Sequence, residues 1–229
     1  MKKVIIGVIA KHCHKLKNKS FISEEVKQAV FDNDAIAIGI LSPNEEIQYC
    51  DDNWTDFEYN INKKDIIDQI NLCDGIILQG GLETEAFEAY IASYCYKNDI
   101  PILGICAGQN NIVRAVGGTT KRILNPEKHD KMGVDYVHDI TIDKDSYFYS
   151  IIQKEQIIVN SWHRRIIDDN SILKVAARCE DNYPDVIEDS KKRFFIGVKF
   201  HPELLYKKDE NMNNIFKEFI RVCKNKSKK

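Results

Sequence analysis

Apolar residues recur along this chain with two different periods. Four short runs, Val4–Ile9, Ala35–Ile40, Gly75–Leu78 and Ile102–Ile105, have the length and near-continuous apolar character of strands buried on both faces. Between them, apolar positions return every three or four residues. Ile22, Val26 and Val30 mark a helix that Ser23 caps and that extends through Phe31; residues 65–73 form a second; Phe87, Ile91, Tyr94 and Cys95 line a third, opened by Thr84. Strands and helices alternating through short links predict an α/β fold with a mostly parallel central sheet flanked by helices.

The second half changes character. Residues 139–142, 157–160, 172–176 and 194–200 read as strands separated by loops and charged turns, which adds extra antiparallel strands to the C-terminal half. A last helix, residues 210–223, carries Met212, Ile215, Phe216, Phe219, Ile220 and Cys223 on one side, and the closing KNKSKK reads as a frayed tail. No repeat and no long linker breaks the pattern, so residues 1–229 are expected to form one domain.

Composition narrows the partners. Thirty-three basic against 35 acidic residues give no basic face for a nucleic acid. No run of about 18 apolar residues exists to span a membrane. The opening MKKVIIGVIAKHCHK has a short apolar stretch and no small-x-small cleavage site, so it reads as a first buried strand rather than a secretion signal. Seven cysteines, an odd number without a C-x-x-C pair, suggest no disulfide framework and a reducing, cytoplasmic setting.

One of those cysteines stands in Gly104-Ile105-Cys106-Ala107-Gly108. G-x-C-x-G after a strand and before a helix is the setting of a nucleophile on a sharp turn, where bulky flanking side chains would collide with neighbouring chain. The helix N-terminus that follows favours a thiolate. A buried structural cysteine in a tight turn reads equally well from this segment alone. A nucleophilic cysteine requires a base. Gly197-Val198-Lys199-Phe200-His201-Pro202-Glu203 places His201 just past an apolar strand, with Glu203 two residues on to orient the imidazole.

GICAG followed far downstream by GVKFHPE resembles the class I glutamine amidotransferase superfamily, a flavodoxin-like fold. Within it the chain is most similar to the peptidase C26, γ-glutamyl-γ-aminobutyrate hydrolase type. The similarity extends through KKVIIGVIA, DGIILQGG, PILGICAGQNNIVRAVGGT, VHDITI, IIVNSWHRR and FFIGVKFHPE. The resemblance implies Cys106 as nucleophile, His201 as base and acid, and Glu203 as its orienting group. It implies oxyanion donors from the backbone of Gly81 and Ala107, and substrate contacts from Gly80, Gln109, Asn110 and the Ser161-Trp162-His163 segment. The implied reaction is hydrolysis of a small γ-glutamyl amide through a thioester on Cys106, with no metal or organic cofactor. Fold-level analogy permits a homodimer.

The chain departs from the family pattern in two places. Asn110 stands where the family carries glutamine, with Gln109 one residue earlier and turned by about 100° on a helix. Leu82-Glu83-Thr84-Glu85 enters the next helix with a shortened loop. Two rival functions remain: a glutaminase subunit delivering ammonia to a separate synthetase chain, and a binding module without turnover. Other features carry weaker expectations. Arg164 and Arg165 read as surface charges, with pairing to a substrate carboxylate as the alternative. The Lys11-His12-Cys13-His14-Lys15 loop lacks a fourth ligand for zinc, and its charge would attract an anionic substrate. Trp54 and residues 51–56 read as an acidic surface loop without EF-hand spacing.

Overall fold

The apolar runs pair as their buried character requires. In the computed structural model, which describes residues 3–13, 19–44, 62–81 and 85–225, the first half contains β1 (Val4–Ile9), β2 (Lys11–His12), β3 (Ser20–Phe21), α1 (Glu24–Asp32), β4 (Ala35–Ile40), α2 (Lys63–Asn71), β5 (Gly75–Leu78), α3 (Ala86–Lys97), β6 (Ile102–Ile105) and α4 (Ala107–Ala115). The second half continues with β7 (Thr119–Arg122), β8 (His138–Ile142), α5 (Tyr147–Ile152), β9 (Gln156–Val159), β10 (Arg165–Asp169), β11 (Lys174–Cys179), β12 (Pro184–Glu188), β13 (Phe195–Val198) and α6 (Glu210–Lys224). Nine strands join one sheet in the order β4-β1-β5-β6-β13-β12-β11-β8-β9. The first five are mutually parallel, and β13 to β9 are antiparallel neighbours. The α/β sheet with antiparallel additions expected from the sequence is therefore present.

Two apolar layers cover the sheet. On one face α1, α5 and α6 contribute Val26, Val30, Phe148, Met212, Phe216 and Phe219. On the other, α2, α3 and α4 contribute Ile66, Ile70, Phe87, Ile91, Ile112 and Val113. Among the described residues no helix is long and apolar enough to cross a membrane. The six described cysteines, Cys13, Cys73, Cys95, Cys106, Cys179 and Cys223, are free thiols.

Several boundaries differ from the sequence expectation. Ser23 stands at the N-terminus of α1, but its hydroxyl donates to Glu25 at 2.6 Å and makes no cap to the helix backbone. Helix α3 begins after Glu85, whose carboxylate forms a reciprocal capping box with Glu88; Thr84, the expected cap, lies outside the described residues. Strands β7, β10 and β12 and helix α5 were not foreseen. Pro184 opens β12, which lacks apolar alternation because all five of its residues are buried. Trp54, residues 51–56, His14, Lys15 and residues 226–229 also lie outside the described residues.

Phe216 is fully buried in α6, whereas Phe31 on α1 is half exposed. Phe216→Ala is expected to cost about 3–5 kcal/mol and Phe31→Ala less than about 0.5 kcal/mol, read from urea unfolding midpoints.

Candidate active site

Three adjacent parallel strands, β5, β6 and β13, end on the same edge of the sheet. Their following residues are Gln79-Gly80-Gly81, Cys106 and Lys199-Phe200-His201. This carboxyl edge is where open α/β sheets hold ligands.

Cys106 joins β6 directly to α4 and adopts φ +52° and ψ −101°, a conformation that costs an L-residue of order 1–3 kcal/mol. Its glycine neighbours permit the turn. A Cβ on Gly108 would stand 2.1 Å from the Leu78 carbonyl oxygen, and one on Gly104 would stand 2.6 Å from the Gly108 carbonyl oxygen. The first turn of α4 is thereby pressed against the ends of β5 and β6, and the Cys106 amide donates to the Val198 carbonyl at 2.8 Å.

The His201 ring meets Cys106 beside Gly80. A Cβ at Gly80 would approach His201 Cε1 to 2.8 Å and Cys106 Cβ to 3.5 Å. His201 Nδ1 faces Glu203 Oε1 at 2.7 Å, so the carboxylate fixes the tautomer and leaves Nε2 for chemistry. Asn160 clamps the histidine's backbone from both sides. The His201 amide donates to Asn160 Oδ1 at 2.7 Å, and Asn160 Nδ2 donates to the His201 carbonyl at 2.8 Å. The sequence reading missed Asn160, although it directly precedes the Ser161-Trp162-His163 segment.

Electrostatics couples the pair. Burial alone would raise the Cys106 thiol, but the charge of His201, joined by Lys199, outweighs it and holds the pKa below the ordinary thiol value. Burial would lower His201, yet Glu203 and Cys106 hold it well above the ordinary imidazole value. The resting state is a thiolate beside an imidazolium. Lys199, also missed from the sequence, is fully buried and donates to Asn110 Oδ1 at 2.7 Å. Burial pushes its pKa down to about 8, against the opposing charges of Cys106 and Asp185.

The expected substrate contacts separate into two groups. Gly80 borders the Cys106–His201 pair, and Trp162 turns its carbonyl toward Cys106 Sγ at 3.8 Å with its ring 5.9 Å from His201. The side chain of Gln109 is instead fully buried and donates to the Asp185 and Gly197 carbonyls, so it braces α4 on the sheet. Asn110 is engaged by Lys199. Ser161 Oγ donates to the His129 carbonyl at 2.8 Å, and His163 Nδ1 pairs with the Arg165 carbonyl at 3.1 Å, so both are occupied within the fold. His163 stays neutral because burial, Lys199 and two neighbouring histidines disfavour its charge.

Two further readings are corrected. Lys11 is no exposed lure for anions: it is buried, and its ammonium sits 2.7 and 2.9 Å from the two oxygens of buried Glu88. Asn111 donates to the same carboxylate at 2.8 Å. A Cβ on Gly81 would meet Lys11 Cδ at 2.6 Å, so this ion pair buttresses the loop after β5. His12 pairs with Glu85 at 2.9 Å. Arg164 forms an exposed ion pair with Asp130 at 2.6 Å, and Arg165 donates to Thr120, so the surface reading suits Arg164 alone.

Comparison with known proteins places the site in context. Peptidase C26 matches residues 81–203, more than half of the chain. Over 159 residues the chain is 32% identical to the glutamine-hydrolysing component of the Picrophilus torridus GMP synthase, covering 66% of this chain and 77% of that protein. It is 27% identical over 193 residues to the CTP synthase of Chlamydia trachomatis serovar L2, covering 70% of this chain but only 36% of that longer protein. The glutaminase domain of Trypanosoma brucei CTPS, solved with bound acivicin, shares the fold with a TM-score of 0.66 and 18% identity, covering 98% of this chain and 95% of that one.

If His201 holds the Cys106 thiolate, His201→Ala leaves burial unopposed and raises the thiol pKa. Iodoacetamide labelling of Cys106 at pH 7, followed by peptide mass spectrometry, is expected to slow at least about tenfold, one pKa unit being a factor of ten in protonation. An unchanged rate would show that the two groups are not paired.

Proposed function

Because the chain belongs to the peptidase C26 family, we propose that it is a cysteine hydrolase cleaving γ-glutamyl amides, with Cys106, His201 and Glu203 as its catalytic residues. The observation that carries this reading is the thiolate–imidazolium pair at the carboxyl edge of β6 and β13, with Glu203 2.7 Å behind the imidazole.

In the proposed reaction the Cys106 thiolate attacks the γ-carbonyl carbon. The carbonyl oxygen becomes an oxyanion, accepted by the backbone N–H groups of Ala107 and Gly81. First-turn helix amides such as that of Ala107 have no partner within their own helix, which suits them to this role. His201 passes its proton to the amide nitrogen, the C–N bond breaks, and the amine or ammonia departs. A γ-glutamyl thioester on Cys106 remains. The now neutral His201 takes a proton from water, the hydroxide adds to the thioester, and collapse releases glutamate and restores the thiolate and imidazolium. Glu203 balances the imidazolium in both halves. Trp162 and Gly80 border the acyl group, and the Lys199–Asn110 pair stands behind it.

A second reading is favoured by the relation to the Picrophilus torridus GMP synthase component: the chain hydrolyses glutamine and passes ammonia to a separate synthetase chain. The same groups perform both reactions, and the leaving group and its destination distinguish them.

The test is release of ammonia or amine from a panel of γ-glutamyl compounds, glutamine included. Cys106→Ala is expected to abolish turnover and His201→Ala to reduce kcat by about 10²–10⁴-fold. Amine release with little from glutamine supports the hydrolase. Glutamine cleavage that requires an added synthetase chain supports the second reading. Full activity of Cys106→Ala would sink the proposed chemistry in either form.

A further inference from the structure

Behind the active site, away from Cys106, a second group of side chains combines around a cavity of about 290 Å³. His129, from the segment after β7, and His138, which opens β8, stand with ring centroids 5.1 Å apart. Cys179 closes β11 beside them. One ligand atom from each of the three, two imidazole nitrogens and a thiol sulfur, lies within 4.8 Å of the others. All three residues line the cavity, together with Glu180, Asp181, Lys128 and Lys131.

The hydrogen bonds around these imidazoles set their orientation. His129 Nε2 faces Asp181 at 3.2 Å, and His138 Nε2 faces Asp185 at 2.7 Å. Each carboxylate holds the proton on Nε2 and directs the lone pair to Nδ1. The Nδ1 atoms of both rings are buried and have no hydrogen-bond partner among the described residues, although the His129 side chain is only 3% exposed. A buried acceptor without a partner is costly, and two of them converging beside a thiol form a donor set in need of a cation. A carboxylate behind each ligating histidine is the usual support for a bound transition metal, since it orients the ring and raises its basicity.

We infer that His129, His138 and Cys179 form a binding site for a borderline-soft divalent cation of the zinc type, with Asp181 and Asp185 as supporting carboxylates and the cavity supplying the fourth position. Two imidazoles and one thiolate suit zinc better than calcium or magnesium, which select oxygen ligands. Zinc–nitrogen bonds of about 2.0–2.1 Å and zinc–sulfur bonds of about 2.3 Å are reached by a small inward movement of the three side chains. On binding, Cys179 releases its thiol proton to solvent and the metal–sulfur bond takes its place. The site is separate from the hydrolase centre, yet a clamp between β11, β8 and the segment after β7 bears on it. The His129 carbonyl receives both Ser161 Oγ and the His163 amide, and these two residues flank Trp162. A bound ion therefore fixes one wall of the acyl pocket from outside.

The full chain, stripped with chelator and titrated with Co²⁺, is expected to take up one equivalent with an intense near-ultraviolet thiolate-to-metal band that Zn²⁺ abolishes. That band is expected to vanish in Cys179→Ser and to persist in Cys106→Ala. Asp181→Asn is expected to weaken Zn²⁺ binding by about 10–100-fold, measured by competition with a fluorescent chelator. His129→Gln serves as a second ligand variant where Cys179→Ser does not fold. No band in the wild-type protein would overturn the inference, as would a band retained in both Cys179→Ser and His129→Gln or lost in Cys106→Ala, the last placing the metal on the catalytic thiol.

Discussion

The contact on which this molecule depends is the approach of the α4 N-terminus to the ends of β5 and β6. At Gly108 the helix lies so near the Leu78 carbonyl that even a methyl group has no room, and at Gly104 the strand lies equally close to the helix. This forces the left-handed conformation at Cys106 and points its side chain over the edge of the sheet. The dipole of α4 then acts on the sulfur within its first turn. A looser junction would let Cys106 relax into ordinary helical geometry, with its thiol buried among the apolar residues of β6. The strain at one residue is thus held by the packing of two elements with no chemical role of their own.

Around that junction the chain buries many charges. Charge buried without a partner is costly, and a buried pair justifies itself only with good geometry and satisfied neighbours. Cys106, His201 and Glu203 form one balanced series, with Lys199 alongside. Lys11, Glu88 and Asn111 form another under the loop after β5. Asn160 makes no ion pair but holds the backbone of His201 on both sides, so the imidazole position does not rest on its own side-chain bonds alone. The second series tightens the loop carrying Gly80 and Gly81, and Asn160 tightens the base. Polar burial in this protein serves position more than stability.

The sequence made legible the features that have a period or a strict local shape. Strands β1, β4, β5 and β6 match their apolar runs residue for residue because both faces are covered and no alternation blurs their ends. The Cys106 turn is legible because glycines on both sides have few other reasons to stand there. Strand β12 was hidden: Pro184, Asp185 and Glu188 give it a polar appearance, and their burial depends on partners remote in sequence, His138 for Asp185 and the α5 backbone for Glu188. Lys11 and Gln109 misled for the same reason. A lysine in a basic loop reads as exposed until Glu88, 77 residues away, is found against it. A glutamine beside a nucleophile reads as a substrate contact until two sheet carbonyls claim its amide. Residue type announced chemistry in these places, but only tertiary pairing determined its use.

The strand order also governs when the site can come into being. Strand β13 lies in the middle of the sheet, between β6 and β12, yet it is the last strand in the chain. While the protein emerges from the ribosome, β6 has one edge paired with β5 and the other open, and its backbone groups there remain exposed until residues 195–198 arrive. An open edge beside a hydrophobic sheet invites pairing with the wrong chain. The late segment that closes this gap also delivers His201 and Glu203. Cys106 therefore lacks its activating base throughout the interval in which the nascent chain is most prone to stray contacts, and a reactive thiol appears only as the sheet is sealed.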